Sequence, residues 1–156
     1  MKDTTINRLL KSGNWMIRLD IDGKSYEDFV WHPLDEWTEA PDWHTRPECN
    51  GGLFGQSPKA NGFCVFGNRI LLCETKGEQI VVNNDKVKVH YARIVAINSS
   101  IPPVFFEKLN HLSLDLGGCD LRGITLPQSV GGSLYLGGCD LKGITLPKNL
   151  KDKVIK

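Results

Sequence analysis

Cys49 and three imidazoles, His32, His44 and His90, are the side chains here with the residue types of a nucleophile and its base. A reactive cysteine also needs a depressed pKa and a base held in place, and spacing alone supplies neither. The simpler reading is a cysteine packed among aromatics. His32, His44, Cys49 and Cys64 form a zinc set by type, but their spacings of 12, 5 and 15 match no standard zinc knuckle. After Cys49, Gly51-Gly52 lets the backbone approach a neighbour closely, and Leu53-Phe54 begins a short strand. Cys49, Gly51, Gly52 and Phe54 would line a cleft there. Neither Gly-x4-Gly-Lys-Ser/Thr nor Gly-x-Gly-x-x-Gly occurs, and no cofactor is expected.

A second kind of chemistry is recognition. Trp31, Trp37 and Trp43 lie six residues apart, interleaved with Asp35, Glu36, Glu39, Asp42 and Glu48. His32, His44 and Arg46 are the counterweights. The tryptophans are either a small core pinning a loop or anchors of a partner surface, a role in which Trp is enriched. An acidic aromatic loop suits a basic surface, such as the nucleic-acid groove of a defence nuclease.

The elements that must position these groups follow from periodicity. Residues 3–12 read as a short helix ending at Gly13. Trp15 to Ile21 alternates as a strand, Asp22-Gly23 signals a two-residue turn, and Ser25 to Val30 would complete a hairpin. From 31 to 62 the density of Pro and Gly blocks a long helix or a central strand. Arg69–Glu74, Gln79–Val82, Lys86–Tyr91 and Arg93–Ile97 then read as strands. The third alternates charged with apolar residues, which predicts one wet face and one buried face. Val104–Leu109 reads as one helical turn.

From Ser113 to Asn149 the chain repeats itself. Ser113–Ser129 and Ser133–Asn149 match at 13 of 17 positions after a shift of 20. Fixed-period similarity marks stacked units, because the face formed by Leu114, Leu116, Leu121, Ile124 and Leu126 needs a neighbour to cover it. Cys119 and Cys139 occupy equivalent places and should stack inward as small hydrophobes. The expected architecture is α+β. A mostly antiparallel β domain (1–108, with the 31–62 loop) precedes a short leucine-rich-like β-solenoid of two 20-residue repeats (109–150) and a basic tail (151–156). An open repeat edge is a template for another chain. This end is therefore expected either to self-associate into a homodimer or to dock a partner, and light scattering showing a strict monomer at high concentration would remove the first of these.

Composition sets outer limits. The 156 residues suit one ordinary domain, or a compact domain with an appendage. With 19 basic and 18 acidic residues the net charge is +1, which argues against a broad phosphate-tracking surface and so against direct nucleic-acid binding. No apolar run approaches ~20 residues, so no membrane span is expected. Nor does an apolar segment follow Met1-Lys2-Asp3-Thr4-Thr5 to suggest a secretory signal. Five widely spaced cysteines, an odd number, point to free thiols in a cytoplasmic protein.

The repeats resemble short leucine-rich repeats of phage and bacterial proteins. Trp37, Ala40-Pro41-Asp42-Trp43 and Glu48-Cys49 are similar to a phage domain family in which a Trp-rich stretch precedes a Cys-Gly-x-Gly-Leu-His block. Asn50 stands where that family often has Gly, and Phe54 where it often has His. The Gly-Gly/aromatic strand is also loosely similar to ADP-ribosyltransferase-like folds, with Arg18 as the early basic residue and Glu74 or Glu78 as the late acid. Small size, no catalytic constellation, the acidic aromatic loop and the stacking edge together point to a phage-type accessory protein occupying the surface of a host protein. In concrete form this is an anti-CRISPR-like inhibitor of a nucleic-acid-binding defence complex, using Trp31, Asp35, Glu36, Trp37, Glu39, Asp42, Trp43 and Glu48. The alternatives are an ADP-ribosyltransferase-like or Cys-dependent enzyme with its cleft at Gly51–Gly55, and a structural or assembly part.

Overall fold

A computed structural model describes residues 1–25, 28–60 and 67–156, so Tyr26, Glu27 and the segment holding Cys64 lie outside the described residues. The chain is α+β, with mostly antiparallel sheets and few helices. Helix α1 (Asp3–Ser12) stops where expected. Gly13 adopts a left-handed φ of 71°, and its N–H donates to Leu9 O at 2.9 Å. Ile6, Leu9 and Leu10 meet the core.

The main sheet has the order β1-β4-β7-β2, antiparallel throughout, from β1 (Trp15–Asp20), β2 (Trp37–Glu39), β4 (Arg69–Lys76) and β7 (Tyr91–Ile97). A smaller antiparallel sheet has the order β3-β6-β5, from β3 (Leu53–Gly55), β5 (Ile80–Val82) and β6 (Lys86–Val89). Every residue of β1 is buried. Because side chains alternate across a strand, Trp15, Ile17 and Leu19 enter one core cluster and Met16 enters the other. Strand β4 divides the same way, Ile70 and Leu72 against Leu71 and Cys73.

Among the described residues the expected hairpin at 15–30 does not form. Its turn exists: Asp22 and Gly23 both have positive φ, and Ile21 and Lys24 exchange backbone hydrogen bonds at 2.9 and 3.0 Å. The pairing ends there, because β4 takes one edge of β1 along all six residues while Gln56 bridges Ile17 on the other. Lys24 bridges Val30 instead. The four later strands fall where the sequence runs predict, but Lys86–Tyr91 and Arg93–Ile97 divide at His90 into β6 and β7, in different sheets. The wet face expected of β6 is corrected too: Lys88 is 0% exposed.

After helix α2 (Pro103–Glu107), the repeats contribute β8 (Leu114–Asp115) and β9 (Leu134–Tyr135). They pair parallel with Leu114 opposite Leu134 and Asp115 opposite Tyr135, in register at the repeat period. Rung-to-rung hydrogen bonds run from Leu114 N–H to Ser133 O at 2.9 Å and from Leu116 N–H to Tyr135 O at 3.0 Å. The basic tail is more than a tail. Val154, again twenty residues on, lies opposite Leu134 in a third parallel strand, β10 (Val154–Ile155). The outer edge of the ladder is therefore β10.

One core crosses the expected boundary at 108/109. Leu9, Trp15, Ile17, Phe105 and Phe106 share a cluster with Leu114, Leu116, Cys119, Leu121, Leu134 and Leu136. Gln56 Nε2 adds a hydrogen bond to Ser113 O at 2.7 Å. Cys119 is buried as expected, and Cys139 is half-buried against the same cluster.

Candidate functional site

The acidic aromatic loop is stitched to the main sheet. Its edge strand β2 pairs with β7, Asp35 N–H donates to Ile94 O at 2.8 Å, and Ala40 N–H donates to His90 O at 2.8 Å. His32 N–H donates to Thr38 Oγ1 at 3.0 Å, closing the turn between them.

The three tryptophans do different work. Trp31 is 4% exposed, packed in the second core over the Arg18 guanidinium, 4.4 Å from ring centroid to Cζ. It therefore cannot be a surface anchor as placed. Trp37 is half-buried between Lys76 Nζ at 4.6 Å and Arg93 Cζ at 5.1 Å. Trp43 stacks on His90, with centroids 5.1 Å apart and planes 5° from parallel. Positive charge from β4 and β7 thus lies under a loop that the sequence presents as acidic. Non-local strand pairing brings those cations there, and local composition carries no sign of it.

The five acids all lie exposed, but not equivalently. Glu39 Oε1 accepts from His90 Nε2 and Tyr91 Oη, both at 3.0 Å. Asp42 Oδ2 accepts the Gly51 N–H at 3.2 Å. These two hold the loop in place. Among the described residues Asp35, Glu36 and Glu48 accept no side-chain hydrogen bond; Glu36 lies 3.9 Å from His32, and Glu48 lies 3.5 Å from Arg46 and 4.0 Å from half-buried His44.

Lys88 is the residue sequence reasoning misread. Its Nζ donates to Asn50 O at 3.0 Å, approaches His44 Nδ1 at 3.3 Å, and lies 5.7 Å from the Trp43 centroid. Burial lowers its pKa, an effect that Glu48 and Asp42 partly oppose. His44 Nε2 is 2.6 Å from Asn50 Oδ1. With Nδ1 accepting from Lys88, the ring must carry its proton on Nε2.

These contacts bear on the glycine cleft. A Cβ on Gly51 would collide with the His44 ring, and one on Gly52 would lie 3.0 Å from Lys88 Cβ. The neighbours that Gly51 and Gly52 approach are thus other parts of this chain: His44, the Asp42 carbonyl and Lys88. Phe54 is half-buried, its ring 5.9 Å from Lys86 Nζ. Cys49 is exposed, and the histidines considered as its base have other company: His44 meets Asn50 and Lys88, His32 meets Glu36, and His90 meets Glu39. Among the described residues no three His, Cys, Asp or Glu side chains gather as a metal site. Of the pairs suggested by the ADP-ribosyltransferase resemblance, Arg18 and Glu74 do not meet. Arg18 lies opposite Leu71 on the second-core face, while Glu74 lies opposite Trp15 on the other face, bound to Arg8 and Arg93.

Thiol reactivity should follow burial. Burial pushes the Cys73 and Cys119 thiols up to about 12 from an ordinary 9.0, which cuts the thiolate fraction about a thousandfold. Native labelling with iodoacetamide, read by peptide mass spectrometry, should modify Cys49 while leaving Cys73 and Cys119 untouched until denaturant is added. Comparable labelling of Cys73 in the folded chain would contradict this core.

Comparison with known protein families, curated proteins and solved structures gives no match to this chain. Among the described residues no helix is long and apolar enough to cross a membrane.

Proposed function

We propose that this chain is a binding module that occupies a basic surface of a host protein, in the manner of an anti-CRISPR-like phage accessory protein acting in the host cytoplasm. The observation that carries the reading is the unequal treatment of carboxylates. Asp20 and Glu74 are buried and locked to arginines. Asp35, Glu36 and Glu48 stand exposed on a loop fastened to the sheet. A fixed array of exposed charge favours fast, oriented encounter with an oppositely charged groove, and rigidity lowers the ordering cost of binding. The repeats belong to the same reading as a short leucine-rich-like solenoid, its coils stacked through Leu114, Leu134 and Val154, which braces the sheet from the other side.

The contact is narrower than the full set of acids and tryptophans. Trp31 faces inward, and Glu39, Asp42, Trp37 and Trp43 secure the loop, so changing them would confound folding with binding. The informative variant is Asp35→Lys/Glu36→Lys/Glu48→Lys. Against a purified RNA-guided nuclease complex, biolayer interferometry should show binding by the parent chain and a loss of at least about tenfold in the triple variant, steeper at low salt. A folded triple variant that binds unchanged would remove this surface, and failure of the parent chain to bind would remove the proposed partner.

A further inference from the structure

We infer that Arg18 and Trp31 form an internal binding site for a small oxoanion, a carboxylate or a phosphate. Arg18 is 6% exposed in the middle of β1, with its side chain in the second core. Two of its donors are used: Nη1 to Phe54 O at 3.1 Å and Nη2 to Leu19 O at 3.3 Å. Both acceptors are neutral carbonyls. Arg18 Nε is buried with no hydrogen-bond partner among the described residues, and so is Nε1 of Trp31, whose ring lies on that guanidinium. Two orphaned N–H donors thus belong to one stacked pair.

Among the described residues counter-charge is only partial: the Asp20 carboxylate acts on Arg18 through space, and no carboxylate is hydrogen-bonded to it. The carboxylate nearest in sequence, Asp20, makes a two-pronged pair with Arg69 at 2.8 Å on each oxygen. Cys73, close enough to interact with Arg18, keeps its proton because burial pushes it up to about 12. Trp31 shares its core with Met16, Leu71 and Ile94. A buried guanidinium whose charge is only partly offset is costly, and a buried orphan donor adds to that cost. A water would satisfy the donors but leave the charge unanswered. An oxoanion answers both, because the side of a guanidinium presents parallel N–H groups to paired oxygens while an indole N–H takes a single one.

The test uses the full chain at fixed ionic strength, titrated with sodium phosphate or sodium acetate against sodium chloride and read as thermal midpoint. One or both oxoanions should raise the midpoint saturably at millimolar concentration. Trp31→Phe keeps the ring and removes the N–H, and it should weaken the apparent affinity about tenfold, as expected for losing one hydrogen bond to a charged group. Arg18→Met should abolish the response. A response to phosphate alone assigns a phosphate or phosphomonoester, and a response to acetate assigns a carboxylate. No saturable response in the parent chain, or an equal response in Trp31→Phe, overturns the site. The second outcome remains decisive if Arg18→Met does not fold.

Discussion

Leu134→Ala is expected to cost about 3–5 kcal/mol of folding stability, whereas Leu141→Ala, in the same repeat, should cost about half as much or less. Leu134 is 0% exposed and lies between Leu114 on one rung and Val154 on the next, so truncation opens a void that neither neighbour can fill. Leu141 is half-buried, while its counterpart Leu121 in the first repeat is 2% exposed. A marginally stable domain has about 5–15 kcal/mol in total, so the first loss should be plain in a urea titration. The two midpoints should separate with similar slopes. Equal costs for the two leucines would mean that the rungs do not bury what their register implies.

The second large effect concerns Glu74. This carboxylate is 6% exposed on β4, and its oxygens take Arg8 of α1 and both Nε and Nη2 of Arg93, the latter at 2.8 and 2.7 Å. Glu74→Gln should cost about 2–3 kcal/mol at neutral pH. That is below the 3–5 seen when fully buried pairs are broken, because the Arg8 side chain is 50% exposed. Burial alone would raise the Glu74 pKa, but hydrogen bonds from Arg8 and Arg93, with their charges, outweigh it and hold the group below its ordinary 4.5. An acid whose folded pKa is depressed stabilises the fold above its unfolded value and loses that contribution as pH falls through the folded one. The gap between parent and Glu74→Gln should therefore shrink toward the acid end. Denaturant titrations at neutral and acid pH would show it, and a gap independent of pH would refute the coupling.

Much of this was written in local pattern. The twenty-residue period gave the leucine register, runs of apolar and β-branched residues gave β4, β5, β6 and β7, and Gly13 gave the end of α1. Val154 was legible on the same arithmetic, since it follows Leu134 by twenty. The signal was easy to pass over because Lys151-Asp152-Lys153 shares nothing with the repeat before it. Pairing was not legible. Nothing near β1 says that its partner is β4 rather than the segment after the Asp22-Gly23 turn, because antiparallel partners are chosen by the burial of distant faces. Trp31 and Lys88 failed for a related reason. Whether an aromatic or a cation is covered depends on a segment folding over it, and for Lys88 that cover is Asn50, Gly52 and His44.

Strand β1 sends Trp15, Ile17 and Leu19 to one side and Met16 and Arg18 to the other, leaving none of them to solvent. Neither half of the molecule can loosen while this ribbon keeps its place, and neither can keep its shape once the ribbon leaves. The leucine ladder and the tryptophan loop, which touch different neighbours and carry different charges, are thereby joined as one cooperative unit.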